Sequence, residues 1–523
     1  MRLAPYVTRY AGNGMVCAVD HLAAQTGLAM LRAGGSAADA AVATSAVLAV
    51  TTQHMCGMGG DLFALVHSPG DSAPATLNSS GRAGSGADAD RLRAGGRTAM
   101  PMFDDIRAVP VPGCVDGWLA LHSRFGRLPL ADVLAPARDY AADGFPASPI
   151  LAAVASRVAE LPGGADFRAA THAGAVIRRP GVARSLDAIV ESGRDGFYGG
   201  EFGKGLLELG NGEYDASDLA HPLADWVAPL GINVWDRHVW TIPPNSQGYL
   251  SLAGAWIAEG LDLPVDPDDP LWAHLTVEAA RFAAYDRDEV LHEHAAGAEL
   301  VAPQRLAPRR DAIRRDRAAL LGDSYRGGGT IYLCAVDRDR MGVSLIQSNA
   351  AGFGANIAEP STGIFLQNRG IGFNLQPGHP AEYGPRRRPP HTLSPALVTT
   401  PDGRLDMTIG TMGGDMQPQV VLQLLARILA GAEPVGDAVA APRWALDSVD
   451  PSSGFNTWAG HGQVRVRLEE SAPPGWATGL GERGHDVVTA GGNFGHAHVI
   501  RVVDDHLEGA SDPRALSGEA ASY

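Results

Sequence analysis

Three glycines run directly into a threonine at Gly327-Gly328-Gly329-Thr330, and an alternating apolar segment follows, TIYLCAVD. A hydroxyl residue in that setting has the surroundings of an N-terminal nucleophile. Its oxygen attacks the preceding carbonyl, an N→O acyl shift follows, and hydrolysis frees a threonine whose own α-amine serves as base. Glycine before the scissile bond lets the backbone take strained geometry without a Cβ clash. An ordinary loop entering a strand has the same composition, so this segment alone leaves both possibilities open.

Four other groups of residues bear on chemistry. Gly413-Gly414 in TMGGDMQ follow a strand-like run, and bare backbone N–H groups there suit an oxyanion hole or a plain tight turn. Arg386-Arg387-Arg388 would attract an anion, or form a solvated loop. His292 and His294, like His496 and His498, sit two apart, but no third ligand follows at a metal-site spacing, and no metal is expected. GMGGD at Gly57–Asp61 has neither the GxGxxG order nor the GxxxxGK[ST] pattern, so it does not indicate a nucleotide.

The elements that must position these residues change character along the chain. His21–Val50 reads as two helices broken at Gly34-Gly35, with Ser36 as N-cap and Asp39 completing a capping box. A strand is expected at Leu62–His67, and amphipathic helices near Asp116–Phe125 and Leu130–Ala142. HVWTIPP ends in the turn PPNSQGYL, ahead of a helix at Leu250–Glu259. Past Thr330, TIYLCAVD and MGVSLIQSN flank Arg338–Arg340 as a hairpin. RLDMTIGT then leads into the double glycine and a helix at Pro418–Ala430.

Composition narrows the partners. In 523 residues, 42 Lys+Arg against 58 Asp+Glu give a net charge of −16, which argues against nucleic acid or an anionic membrane. Cys17, Cys56, Cys114 and Cys334 make no disulfide framework or metal motif. No secretory signal pattern opens the chain, and no apolar run approaches a membrane span. A cytoplasmic protein is expected.

Taken in order, the blocks GGSAADAAVATSAVLAV, GMGGDLFALV, VPGCVDGW, FGRLPLADVLAPARDYAADGFPAS, IPPNSQG, GGTIYLCAVD, STGIFLQNRG, HTLSPALV, GTMGGDMQPQ, AAPRW and SDPRALSG resemble the γ-glutamyltranspeptidase (glutathione hydrolase) family. The resemblance spans nearly the whole chain. It implies an α+β, four-layer αββα sandwich of the N-terminal nucleophile hydrolase type, self-cleaved between Gly329 and Thr330. Residues 1–329 would be the large subunit and 330–523 the small one, together one catalytic domain that forms, at most, a homo-oligomer of that pair. Thr330 would be nucleophile and base, Gly413 and Gly414 the oxyanion hole, and Ser348 the hydroxyl that bonds the nucleophile. Arg82 corresponds to the family's carboxylate-holding arginine. No cofactor is implied.

The departures matter as much. Gly372 stands where the family has the aspartate that holds an α-ammonium, and Arg369 where it has Glu or Gln. Ala350 replaces the substrate-side Asn, beside Asn349, and His391-Thr392 replace the paired serines of the α-carboxylate site. QNRG, HT and MGGxMQPQ resemble the divergent branch that includes oxamate amidohydrolase and glutathione-hydrolase-like proenzymes. An arginine in place of an acid inverts the pocket's charge, so a small acidic amide is the expected substrate, cleaved as an oxalyl- or γ-glutamyl-like group through a Thr330 acyl-enzyme. Three alternatives remain: a genuine γ-glutamyltransferase, an oxalyl-cleaving enzyme of a natural-product pathway, and an unprocessed, non-catalytic homologue.

Overall fold

The structure, a computed structural model, describes residues 8–321, 330–448, 464–492 and 494–523. Gly327, Gly328 and Gly329, and with them the expected scissile bond, lie outside the described residues.

Two seven-stranded antiparallel sheets form the centre. One runs, in spatial order, Arg9–Ala11, His506–Ser511, Ala497–Val503, Leu405–Thr411, Ala396–Thr399, Arg237–Thr241 and Leu230–Val234. The other, which carries Thr330, runs Glu519–Ser522, Met15–Ala18, Ile331–Val336, Gly342–Ser348, Asp61–His67, Ala75–Ser79 and Asp225–Val227. Each sheet contains strands from before and from after Thr330, so the two halves of the chain share one core.

Alternation along the strands assigns their faces. In Ile331–Val336, Ile331, Leu333 and Ala335 pack against helices, while Tyr332, Cys334 and Val336 enter the layer between the sheets. Every residue of that strand is buried, which accounts for its nearly continuous apolar text. Helices Ala37–Thr51 and Cys114–Phe125 cover the Thr330 sheet. Helices Tyr249–Glu259 and Gln417–Leu425 cover the other. The result is the αββα sandwich expected from the resemblance.

Local signals acted as read. Ser36 caps Ala37–Thr51 in a capping box with Asp39, and that helix is buried all round, as its alanine-rich composition allows. The helix expected over Pro418–Ala430 is α-helical only over Gln417–Leu425 and widens into a π turn over Ala426–Ala430. Among the described residues, no helix is long and apolar enough to cross a membrane.

The sheets approach closely where Gly410 faces Tyr332. A Cβ on Gly410 would stand 2.4 Å from the Tyr332 ring, with both residues buried. Gly410→Ala is therefore expected to destabilise the fold by about 1–3 kcal/mol through overpacking. Urea unfolding measures it; an unchanged midpoint would show that the sheets can separate there without cost.

Candidate active site

The hairpin register builds the site. Ile331 pairs with Gln347, and Ser348 pairs with Asp61 on the next strand. Continuing the register one residue sets Thr330 opposite Ser348, so Thr330, Ser348 and Asp61 line up across three neighbouring strands. Opposed residues in antiparallel strands share a face. Here it is the face that carries Tyr332, Ile346 and Phe63 into the layer between the sheets.

Thr330 Oγ1 lies 3.1 Å from Ser348 Oγ, both fully buried. Ser348 Oγ accepts from the Ala350 N–H at 2.8 Å and from Arg369 Nη2 at 3.1 Å. The serine keeps its own proton to donate, and Thr330 Oγ1 is within reach. Arg369 Nη1 donates to Thr392 Oγ1 at 2.8 Å. The guanidinium is thus separated from the threonine hydroxyl by a single oxygen.

Arg369 is only 2% exposed, it donates to the hydroxyls of Ser348 and Thr392, and its Nε has no partner among the described residues. Burial pulls its pKa down to about 10, against the opposing fields of Asp61 and Asp415, so it stays charged at neutral pH. A buried guanidinium without a carboxylate is an unfinished ion pair.

Asp61 is the hub on the other side. Its Oδ1 accepts from the N–H groups of Gly81 (2.8 Å) and Gly113 (3.2 Å) and from Gln367 Nε2 (2.8 Å). Its Oδ2 faces His391 Nε2 at 3.1 Å. Because the Leu393 N–H points at His391 Nδ1 at 3.2 Å, that nitrogen accepts and the ring proton sits on Nε2, donating to Asp61. Burial, then the Arg369 charge, push the His391 pKa down to about 3, so the ring is neutral.

Gly413 and Gly414 end the Leu405–Thr411 strand with φ of 130° and 59°, conformations that favour glycine. The Met412 carbonyl accepts from Thr411 Oγ1 at 2.9 Å, and the Gly413 carbonyl from the Met416 N–H at 3.1 Å. In a trans peptide the N–H points opposite to the C=O. With both carbonyls tied, the Gly413 and Gly414 N–H groups face the other way.

The remaining expected residues separate. Thr392 joins Arg369. Asn349 adjoins Ser348; its Nδ2 donates to the Gln53 carbonyl at 3.2 Å, and its buried Oδ1 has no partner among the described residues. His391 is at the site, but both ring nitrogens are engaged, so it orients Asp61 and does not offer a nitrogen to a ligand. Arg82 is not brought to this group: it pairs with Glu293 at 2.5 Å, bonds the Arg386 carbonyl, and lines a different cavity of about 260 Å³ with Asp225 and His221.

Arg386 and Arg388 are taken by Asp218 and Asp225, and Arg387 by nearby carbonyls, so this run is a structural clasp. Among the described residues, no group of three His, Cys, Asp or Glu is placed to hold a metal ion. The sequence reading missed Asp61 as hub. Its only signal was that an acid closes the GMGGD turn.

The family model for gamma-glutamyltranspeptidase matches residues 23–522. The chain belongs to the gamma-glutamyltranspeptidase family. It is 35% identical to the oxamate amidohydrolase proenzyme of Klebsiella pneumoniae, over 98% of each chain. It is 34% identical to the glutathione hydrolase-like YwrD proenzyme of Bacillus subtilis, over 96% of this chain and 97% of that one. Among solved structures, cephalosporin acylase from Bacillus halodurans superposes with a TM-score of 0.88 at 32% identity, covering 100% of this chain and 99% of the other. As a family member, the chain is an enzyme.

The neutral His391 gives a pH test. Its folded pKa lies below the ordinary 6.5, so the unfolded chain takes up the proton first. The stabilisation is complete above pH 6.5 and is lost as pH falls toward 3. Removing this one group with His391→Gln is expected to flatten the acid limb of the stability curve by about one proton, about 1.4 kcal/mol per pH unit. Denaturant unfolding between these limits measures the slope; equal slopes for variant and parent would contradict a neutral buried ring.

Proposed function

We propose that this protein is a self-processing amidohydrolase that cleaves short acyl groups bearing a carboxylate next to the scissile carbonyl. The observation that carries the reading is the line Thr330–Ser348–Arg369, in which a buried, charged guanidinium sits one hydroxyl away from the nucleophile. In an oxalyl amide the carboxylate is bonded directly to the reacting carbon. In a γ-glutamyl donor it lies roughly 5 Å of extended chain away. The nearness of Arg369 to Thr330 favours the first, as does the lack of an acid at Gly372 for an α-ammonium.

The chain is read as cleaving itself between Gly329 and Thr330 into residues 1–329 and 330–523. The freed α-amine takes the proton as Thr330 Oγ1 attacks the amide carbon. The Gly413 and Gly414 N–H groups hold the resulting oxyanion. Collapse breaks the C–N bond, and the protonated α-amine gives its proton to the departing nitrogen. Water, deprotonated by the same amine, then attacks the ester, releasing the diacid and regenerating Thr330. Ser348 donates to the nucleophile, and Arg369 holds the donor's carboxylate. The likeness to an oxamate amidohydrolase supports this reading; the likeness to a glutathione hydrolase-like protein keeps a γ-glutamyl donor as the alternative.

The para-nitroanilides of oxalate and of γ-glutamate separate the two by release of nitroaniline. The oxalyl compound is expected to be the better substrate. Arg369→Met should lower its kcat/KM by 10- to 150-fold, about 1.5–3 kcal/mol for a charge-assisted bond, and leave neutral acyl donors little changed. Preference for the γ-glutamyl compound, with no effect of Arg369→Met, would overturn the reading.

A further inference from the structure

The segment Asn245-Ser246-Gln247 is bound along its length to residues 389–393. Asn245 Nδ2 donates to the Pro389 carbonyl at 2.7 Å, and the Asn245 carbonyl accepts from the His391 N–H at 2.8 Å. Ser246 Oγ donates to the Leu393 carbonyl at 2.6 Å, and the Gln247 N–H to the His391 carbonyl at 2.8 Å. The backbone clasp holds His391 and Thr392 in place, leaving the Gln247 side chain to do something else.

That side chain is fully buried and reaches across to the double glycine. Its Nε2 donates to the Thr392 carbonyl and to the Gly414 carbonyl, each at 3.0 Å. Its Oε1 accepts from Arg287 Nη1 at 3.2 Å, and the same Nη1 lies 2.9 Å from Asp415 Oδ1. Both ends of the amide have partners of fixed polarity, so its orientation is determined: oxygen toward the guanidinium, nitrogen toward the two carbonyls. Gln247 thereby ties the residue that bonds Arg369 to the loop that carries the Gly413 and Gly414 N–H groups. Together with Thr411 Oγ1 on the Met412 carbonyl and the Met416 N–H on the Gly413 carbonyl, every carbonyl from Met412 to Gly414 is held.

We propose that Gln247 and Thr411 are positioning residues of the oxyanion hole: Thr411, on the Met412 carbonyl, holds the Gly413 N–H toward the developing oxyanion, while Gln247 anchors the loop at the Gly414 carbonyl, one peptide beyond the Gly414 N–H, and sets it in register with the Arg369 carboxylate site. The inference rests on the acyl-enzyme reading above. Neither residue touches the reacting atoms; both act through backbone that does. Their loss therefore weakens stabilisation of the tetrahedral intermediate more than ground-state binding.

The test uses processed full-length protein and the oxalyl para-nitroanilide. Gln247→Glu keeps the shape and the oxygen facing Arg287, but sets an oxygen in place of the donor against two carbonyls. Gln247→Leu removes both ends, and Thr411→Val is the isosteric loss of the other tie. Each is expected to lower kcat about 10- to 100-fold with KM within about threefold of the parent. A parent-like kcat for Gln247→Glu would overturn the role of Gln247. If that variant does not fold, Gln247→Leu decides the same point, and Thr411→Val decides the role of Thr411. A loss confined to KM would instead make these residues part of substrate binding and contradict the proposal. Thr330→Ala separates this from the reading beneath it: an active Thr330→Ala refutes the acyl-enzyme itself, whereas an inactive one beside a fully active Gln247→Glu refutes only the positioning role.

Discussion

The antiparallel register of the central hairpin, Ile331–Val336 with Gly342–Ser348, is the constraint on which the site depends. Both faces of the hairpin are buried, one under helices and one against the second sheet, so every side chain has an assigned side. A slip by one residue would send Tyr332 and Ile346 into the helix layer and turn Thr330 and Ser348 away from the gap between sheets. Specifying that register for packing specifies it for the site, because Thr330, Ser348 and Asp61 occupy the next rung of the same ladder. The close approach at Gly410 sets how near the second sheet brings its double glycine.

On this frame rests one unpaired charge. Arg369 is desolvated, hydrogen-bonded to two hydroxyls, and still protonated at neutral pH, with Asp61 and Asp415 acting on it only from a distance. Burying a guanidinium without a partner costs several kcal/mol, and a fold retains such a cost only if the surroundings enforce it. Here they do: Arg369 begins a short turn at 369–372, and Thr392 is held by the Asn245–Gln247 clasp. A ligand carboxylate would complete the pair, and under the proposed function the charge then serves to choose the acyl donor. Neutral His391 fits the same logic, since a second cation beside Arg369 would raise the cost further.

Much of this was legible in the sequence because it is local. The capping box at Ser36 and Asp39, the hairpin around Arg338–Arg340 and the strand running into Gly413-Gly414 are set by neighbours within a few residues. The meeting of Thr330, Ser348 and Arg369 was legible through the family resemblance, which carries register across long separations. What the sequence reading lacked was non-local hydrogen bonding. The ligands of Asp61 come from Gly81, Gly113, Gln367 and His391, and no spacing rule links those positions. Arg82 illustrates the reverse, a residue of the right type whose charge is taken by Glu293, a partner more than two hundred positions away. Gln247 was visible only as part of a turn, because its role lies in two carbonyls of distant segments.

The central claim is that Thr330 becomes the N-terminus of a small subunit and carries the acyl group beside Arg369. Intact-mass measurement of the purified protein, acid-quenched during turnover of an oxalyl amide, tests it directly. The account predicts two chains joined at the Gly329–Thr330 boundary in sequence, with one oxalyl group on the smaller, mapped by fragmentation to Thr330. A single uncleaved chain, or an acyl group on any other residue, would contradict it.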